Sequence, residues 1–420
     1  MEPKIRFKGF EGEWKAEDFQ NSFDSLRNNS LSRAELADDG KIANIHYGDV
    51  LIKYSECIDT SVDKLTYILD NGIGKNLVKN GALKRGDIIF ADAAEDSTVG
   101  KCSELLCKDN ELIVSGLHTI ACRPRLNVAE KYLGYYLNSP AYHNQLLPHI
   151  QGTKISSISK KAINTTFVVF PTQKAEQQEI ASYFTSLDSQ ISASISRLAS
   201  LKQMKTASLQ AMFPQEGETV PKIRFKGFEG EWKKVKLGDI AKFTKGQGYS
   251  KSDLKETGQP IILYGRMYTK YQFVIDEVDT FANLKDASIL SEGDEIIMPA
   301  SGETPEDIAC ASAVLAKDII LGGDLNIMHF DLTKISTPYI ALVITYSKTH
   351  HDLSKCAQGK SVVHLHNGAI SRATISLPSL AEQQAIASYF TSLDRQISLQ
   401  SQRLEKLKQI KSACLDKMFV

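Results

Sequence analysis

The sequence predicts an α+β chain: two mixed globular domains, each closed by a long helix, arranged as an internal pseudo-two-fold repeat. Three observations predict it. Residues 3–14, PKIRFKGFEGEW, recur unchanged at 221–232. AEQQEIASYFTSLDSQIS at 175–192 returns as AEQQAIASYFTSLDRQIS at 381–398, with looser likeness through 197–213 and 403–419. The stretches between these repeats differ from each other but carry similar strand and turn signals. Self-similarity on this scale marks a duplicated structural unit.

The opening motif repeats with an offset of 218 residues, from 3 to 221, and the closing segment with one of 206, from 175 to 381. The first middle is therefore 12 residues longer than the second. A length of 420 residues suits two cores of ordinary domain size. The boundaries follow: a first domain over 1–174, its helix and linker over 175–220, a second domain over 221–380, and the second helix over 381–420. The linker PQEGETVP (214–221) is rich in Pro, Gly and acid and ends the first half.

Each closing segment reads as one helix. Ile180, Phe184, Leu187, Ile191, Leu198 and Leu201 recur at coiled-coil spacing, as do Ile386, Phe390, Leu393, Ile397, Leu404 and Leu407. Neither contains Gly or Pro, while Pro171 and Pro378 lie just before them. Ser379 with Glu382 three residues on is a capping-box signature. Gln173 replaces the serine in the first copy, a weaker cap. About 38 residues would span roughly 57 Å. Polar Ser194 and Gln400 match across the repeat and suit a role in register.

In the middles, strands are expected after turn signals: VLIKY after Gly48-Asp49, IIF after Gly86-Asp87, EIIM after Gly293-Asp294, and again over 163–170 and 370–377. Helices are expected over 129–138 and 337–348.

Composition narrows the function. Fifty Lys and Arg balance fifty Asp and Glu, unlike a free-standing nucleic-acid binder with its basic excess. No apolar run is long enough for a membrane helix, and none resembles a signal peptide, so a cytoplasmic location is expected. Cys57, Cys102, Cys107, Cys122, Cys310, Cys356 and Cys414 are scattered without a CxxC and read as reduced packing residues. His350-His351 and the pair His364, His366 lack cysteines at ligand spacing, so no metal site is expected. Ser354 stands where a P-loop ending in Gly359-Lys360-Ser361 would need Gly. Adenine-methyltransferase, GxSxG and HExxH motifs are missing. Asp92, Glu95 and Asp96 read as a surface loop. No catalytic residue is assigned.

The layout resembles the specificity subunits of type I restriction–modification enzymes over nearly the whole chain. The carrying residues are the opening motif (Pro3–Trp14, Pro221–Trp232), a Gly-turn before the last strand (Gly152–Ile158, Gly359–Leu365) and a helix start of Pro171 then Glu176–Gln178, or Pro378 then Glu382–Gln384. The resemblance implies two target recognition domains separated by an antiparallel two-helix coiled coil. It implies double-stranded DNA, two methyltransferase subunits and two restriction or motor subunits as partners. S-adenosylmethionine, ATP and Mg would belong to those partners, which methylate adenine or cleave DNA. Unlike domains imply an asymmetric bipartite target. Half-sites one turn apart lie roughly 34 Å from each other, a separation the spacer can hold. Two other readings stay open: a specificity subunit serving a combined methyltransferase–nuclease of type II, and a coiled-coil adaptor with no DNA function.

DNA contacts are expected from polar and basic loop residues. In the first domain these are Lys75, Lys79, Lys84, Arg85, Ser97, Thr98, Lys101 and Lys154. In the second they are Lys245, Gln247, Tyr249, Arg266, Tyr268, Lys270, Ser301, Thr304 and Lys360. A base reader such as Arg266 would cost about 1–3 kcal/mol and relax one target position when changed to Ala, whereas a phosphate contact such as Lys84 would weaken all sequences alike.

Overall fold

Short apolar runs between glycine turns build the same sheets in both halves of the chain. The computed structural model describes residues 1–420. Contacts divide it into two units: Met1–Ile195 with Arg403–Val420 (unit 1), and Ser196–Gln402 (unit 2).

Unit 1 is centred on a five-stranded sheet of β1 (Phe23–Ser25), β2 (Cys57–Asp59), β3 (Ile88–Ala91), β4 (Cys102–Leu106) and β5 (Thr119–Pro124), in the order β1-β5-β3-β4-β2. Unit 2 has β6 (Ala241–Lys245), β7 (Val274–Ile275), β8 (Glu295–Pro299), β9 (Ser312–Val314) and β10 (Leu325–Phe330), in the order β6-β10-β8-β9-β7. Only the last pair in each order is parallel. A four-stranded sheet and two small ribbons also correspond strand for strand.

The central strands are buried on both faces, which is why they read as unbroken apolar runs. Along β3, Ile88 and Phe90 join the core shared with Tyr132, Tyr136 and Phe184, while Ile89 and Ala91 point the other way to Ile45 and Val50. Along β8, Ile296 and Met298 meet Tyr339 and Phe390, and Ile297 meets Ile262 and Leu321. Alternation thus feeds two cores from one strand.

The long helices run Lys174–Ala211 and Leu380–Lys417, 38 residues each. No helix is long and apolar enough to cross a membrane. In unit 1, Tyr183 and Asp188 of the first helix meet Cys414 and Lys411 of the second. In unit 2, Lys205 and Ser208 meet Asp394 and Tyr389. Residue numbers rise on one helix as they fall on the other, so the contacts are antiparallel in each unit. Ile180, Phe184, Leu187, Leu201, Ile386, Phe390 and Leu393 are buried; Ile191, Leu198, Ile397, Leu404 and Leu407 are half-buried. Phe184 stacks on Tyr135 and Phe419, so this seam position also carries domain packing.

The opening motif acquires a reason. Arg6 donates to both oxygens of Glu176 at 2.7 and 2.8 Å, and its third nitrogen donates to Gly12 O. Arg224 does the same to Glu382 at 2.6 and 2.7 Å, and to Gly230 O. Both glutamates are 1% exposed. This corrects the capping-box expectation. Ser379 Oγ does accept from Glu382 N at 3.4 Å, but the Glu382 carboxylate turns to Arg224 instead of back to the cap.

Three local expectations shift. VLIKY is not a strand: Tyr47–Ile52 is helical, because His46 Nδ1 accepts from Gly48 N and Asp49 is fixed by Arg33 inside the first turn. The strands expected at 163–170 and 370–377 begin later, at Phe167 and Thr374, after the helical turns Lys160–Ile163 and Asn367–Ile370. The expected helices shorten to Tyr132–Leu137 and Thr337–Tyr346.

Removing Arg6 or Arg224 leaves a buried carboxylate without its partner, and we expect a loss of about 3–5 kcal/mol in urea unfolding for Arg6→Ala. A pH effect follows from Glu104. Its carboxyl accepts from Lys131 N and Gly134 N, yet burial pushes it up to about 7 from 4.5. The folded state therefore favours the protonated form, and its contribution to stability is lost as pH rises from about 4.5 to 7. Glu104→Gln should flatten stability across that window in melts at stepped pH.

Candidate functional site

Chain topology gathers loops at one end of each five-stranded sheet, where β3 and β8 leave it. In unit 2, β6 ends at Lys245 opposite Asn326. The chain then turns through Gly246, Gln247, Gly248 and Tyr249. Gly246 N donates to Leu325 O and Gly323 N to Gly248 O, locking this turn to Gly322-Gly323. A Cβ on Gly246 would lie 2.0 Å from Gly322 O, so only glycine permits that approach. Ser301 leads out of β8, and Gly302 sits 3.7 Å from Tyr268 when given a Cβ. Ser301–Gly302 pairs with Val363–His364, bringing Lys360 to the same end. The residues expected from the second domain thus converge.

Their roles separate. Lys245 and Lys360 are exposed and form no ion pair within the chain. Thr304 is exposed but caps the helix Pro305–Ile308 by accepting from Asp307 N. Tyr249 is half-buried, its hydroxyl donating to Asn283 O at 3.1 Å. Gln247 donates to Ala287 O. Ser301 is buried and bonds to Asp324 at 3.2 Å. Arg266 needs a correction: its side chain is 10% exposed, donating to Asp279 at 2.5 Å and to Gln272 at 3.2 Å. Lys270 shares that aspartate, and the two cations hold its carboxyl well below the ordinary range. Arg266 is committed to the fold and is not poised to read a base.

The first-domain set is split. Ser97 and Thr98 follow β3, and Lys154 joins them because Ser156–Ser157 pairs with Ala93–Ala94. Lys84 and Arg85 lie before β3, at its opposite end. Lys75 and Lys79 are exposed on the helix Asn71–Gly81. Arg85 forks onto Glu130 at 2.7 and 2.8 Å, and Lys101 is half-buried, donating to Leu51 O and Tyr54 O at 2.9 Å each. Burial lowers the Lys101 pKa. Both are structural residues in this fold.

Sequence reasoning missed Arg27. Leu26 N donates to Ala121 O, continuing the β1–β5 ladder. Arg27 therefore stands where Lys245 stands in unit 2, exposed and unpaired by any acid. Asn29 then matches Gln247, and its side chain donates to Ser115 O at 2.8 Å. Tyr47 and His118 also face this end, rings 5.3 Å apart. Only the strand pairing reveals these matches, since the loop sequences share no pattern.

A group with ligand chemistry also went unnoticed: Glu292, Asp294, Glu295 and His329 bring donor atoms within 4.8 Å. Unit 1 explains it. There the buried Asp87 closes the turn before β3, held by Arg123 at 2.7 Å. Glu295 closes the turn before β8 by accepting from Gly293 N and Asp294 N, and His329 takes the place of Arg123. The cluster is turn-closing architecture at the far end of the sheet.

Stability should sort these groups. Lys101→Ala is expected to cost about 1–3 kcal/mol through its lost charged hydrogen bonds, and Arg266→Ala should also lower the melting temperature. Arg27→Ala, Lys154→Ala and Lys245→Ala should stay within about 0.5 kcal/mol of the parent.

Comparison with known proteins gives the following. The family model for the type I restriction modification DNA specificity domain matches twice, at residues 23–203 and 229–409. A curated relative, the type I restriction enzyme MjaVIII specificity subunit of Methanocaldococcus jannaschii, is 20% identical over 278 residues. That alignment takes in 63% of this chain and 64% of the relative's length. The S subunit of a type I restriction-modification system from M. genitalium superposes with a TM-score of 0.61 at 14% identity, covering 100% of this chain and 99% of that one. A chain from a structure of the assembly and conformational transition of the type I R-M system superposes at 0.51, also 14% identical, covering 97% and 98%.

Proposed function

The chain belongs to the type I restriction modification DNA specificity domain family, and on that premise we propose that it selects the DNA sequence on which a restriction–modification complex acts. Each unit reads one half of a bipartite target. The observation that carries this is a shared frame with unlike ends: the sheets agree strand for strand, while the residues presented beyond them differ. Unit 1 offers Arg27, Asn29, Tyr47, Ser97, Thr98 and Lys154; unit 2 offers Lys245, Gln247, Tyr249, Tyr268, Thr304 and Lys360. Arginine, lysine, asparagine and glutamine are the side chains that pair with base edges and phosphates. Different sets imply different half-sites, so the target is asymmetric.

Catalysis belongs to partners in this reading. The sequence has no P-loop and no adenine-methyltransferase motif. Methyltransferase subunits, two per complex, bring S-adenosylmethionine and methylate adenine; restriction or motor subunits, also two, bring ATP and Mg. The even balance of 50 basic and 50 acidic residues supports a chain that relies on partners for much of its phosphate attraction.

The test is co-expression with the methyltransferase subunit and mapping of methylated adenines in the host genome. One asymmetric motif of two specified parts with an unspecified gap is expected; an assembled complex with no sequence-dependent methylation or DNA retention overturns the reading. Lys245→Ala should weaken all sequences alike and reduce the slope of log affinity against log salt by about 0.9.

A further inference from the structure

A hairpin stands at the strand-exit end of each unit. Gln151 and Ser157 close the first by exchanging backbone hydrogen bonds of 3.0 and 2.7 Å, and Gln358 and His364 close the second at 3.0 and 2.8 Å. Between them run Gly152-Thr153-Lys154-Ile155-Ser156 and Gly359-Lys360-Ser361-Val362-Val363. Each begins on a glycine at positive φ, 110° and 133°. A Cβ on Gly152 would lie 1.9 Å from Ile155 O, and on Gly359 2.0 Å from Val362 O. The two backbones therefore fold alike and set Ile155 and Val362 at the same position. Both are β-branched, and both point outward, 61% and 51% exposed.

One exposed aliphatic residue means little. The same exposure at the same tip, in two domains whose other loops differ, indicates a ligand feature common to both. The neighbouring lysines, Lys154 and Lys360, match a polyanion. Each tip is a five-residue loop closed by a single antiparallel bridge, and with its side chains such a tip suits the major groove, about 12 Å wide, better than the minor groove, about 6 Å wide. Among the base edges of the major groove the thymine C5-methyl is the apolar group.

We infer that Ile155 and Val362 are specificity residues, each laying its methyl groups against the C5-methyl of a thymine in its own half-site, with Lys154 and Lys360 on the flanking phosphates. The inference rests on the DNA reading above. It makes a thymine contact the shared element of two otherwise different half-sites.

The test uses the full chain assembled with its methyltransferase subunits, and target duplexes in which each thymine is replaced singly by deoxyuridine, which lacks only the methyl. For the wild-type complex, one position in each half-site should lose about fourfold in affinity, the worth of one buried methyl. Ile155→Ala should abolish that loss in one half-site and keep it in the other; Val362→Ala should do the converse. The inference is overturned if no uridine effect disappears with its variant. It is equally overturned if the variants keep the uridine effects and instead lose the methyltransferase subunit on co-purification, which would make the tips a protein contact. A wild-type complex that binds its mapped target no better than random sequence sinks the DNA reading itself, and the inference with it.

Discussion

Arg6 closes on Glu176, and Arg224 on Glu382, each through two short parallel hydrogen bonds to a buried carboxylate. Much else hangs from this fork. It ties the opening motif to the first turn of one long helix. The same motif reaches the end of the other long helix, through Ile5 N to Lys417 O and Ile223 N to Ala211 O at 2.9 Å each. Phe7 and Phe225 then meet Tyr183 and Tyr389 edge-on, both at 5.9 Å. A buried ion pair adds little net stability over an apolar substitute, but it tolerates little error in geometry. What it fixes here is a position: the opening motif is pinned to the first turn of each long helix.

From that fixed start the rest of each unit follows. The central strands are sealed on both faces, so their residues answer to two cores at once and have little freedom. The loops beyond the strand ends answer to neither core. Variation is confined by packing to the place where a ligand would meet it, and Arg27 and Lys245, Asn29 and Gln247 are alternatives installed on one scaffold.

Repeats and periodicity made the frame legible in the sequence. The 38-residue helices and the strands after Gly86-Asp87 and Gly293-Asp294 follow from local signals. Equivalence of the two middles was not legible, because it rests on strand order and hydrogen-bond register between residues far apart in the chain. The helix at Tyr47–Ile52 was hidden for a similar reason: VLIKY has strand propensity, and a cap from His46 with the Arg33–Asp49 pair overrides it. Among site residues, Lys245, Lys154 and Lys360 stayed at the loop end, while Arg266, Arg85 and Lys101 proved to be engaged by Asp279, Glu130 and two backbone carbonyls. A basic residue looks the same in sequence whether its partner is an anion outside the fold or a carboxylate inside it.

The division of the chain has a consequence for biosynthesis. Unit 2 is one continuous segment, Ser196–Gln402, whereas unit 1 is built from Met1–Ile195 and Arg403–Val420. Residues Trp14, Tyr132, Tyr136 and Phe184 all pack their rings against Phe419. On a ribosome moving at about 5–20 residues per second, the unit begun first of the two is the one finished second. Its aromatic core must wait, unsealed, for the closing residues to emerge. The later-made unit has all its pieces before then, so the order of completion runs against the order of translation.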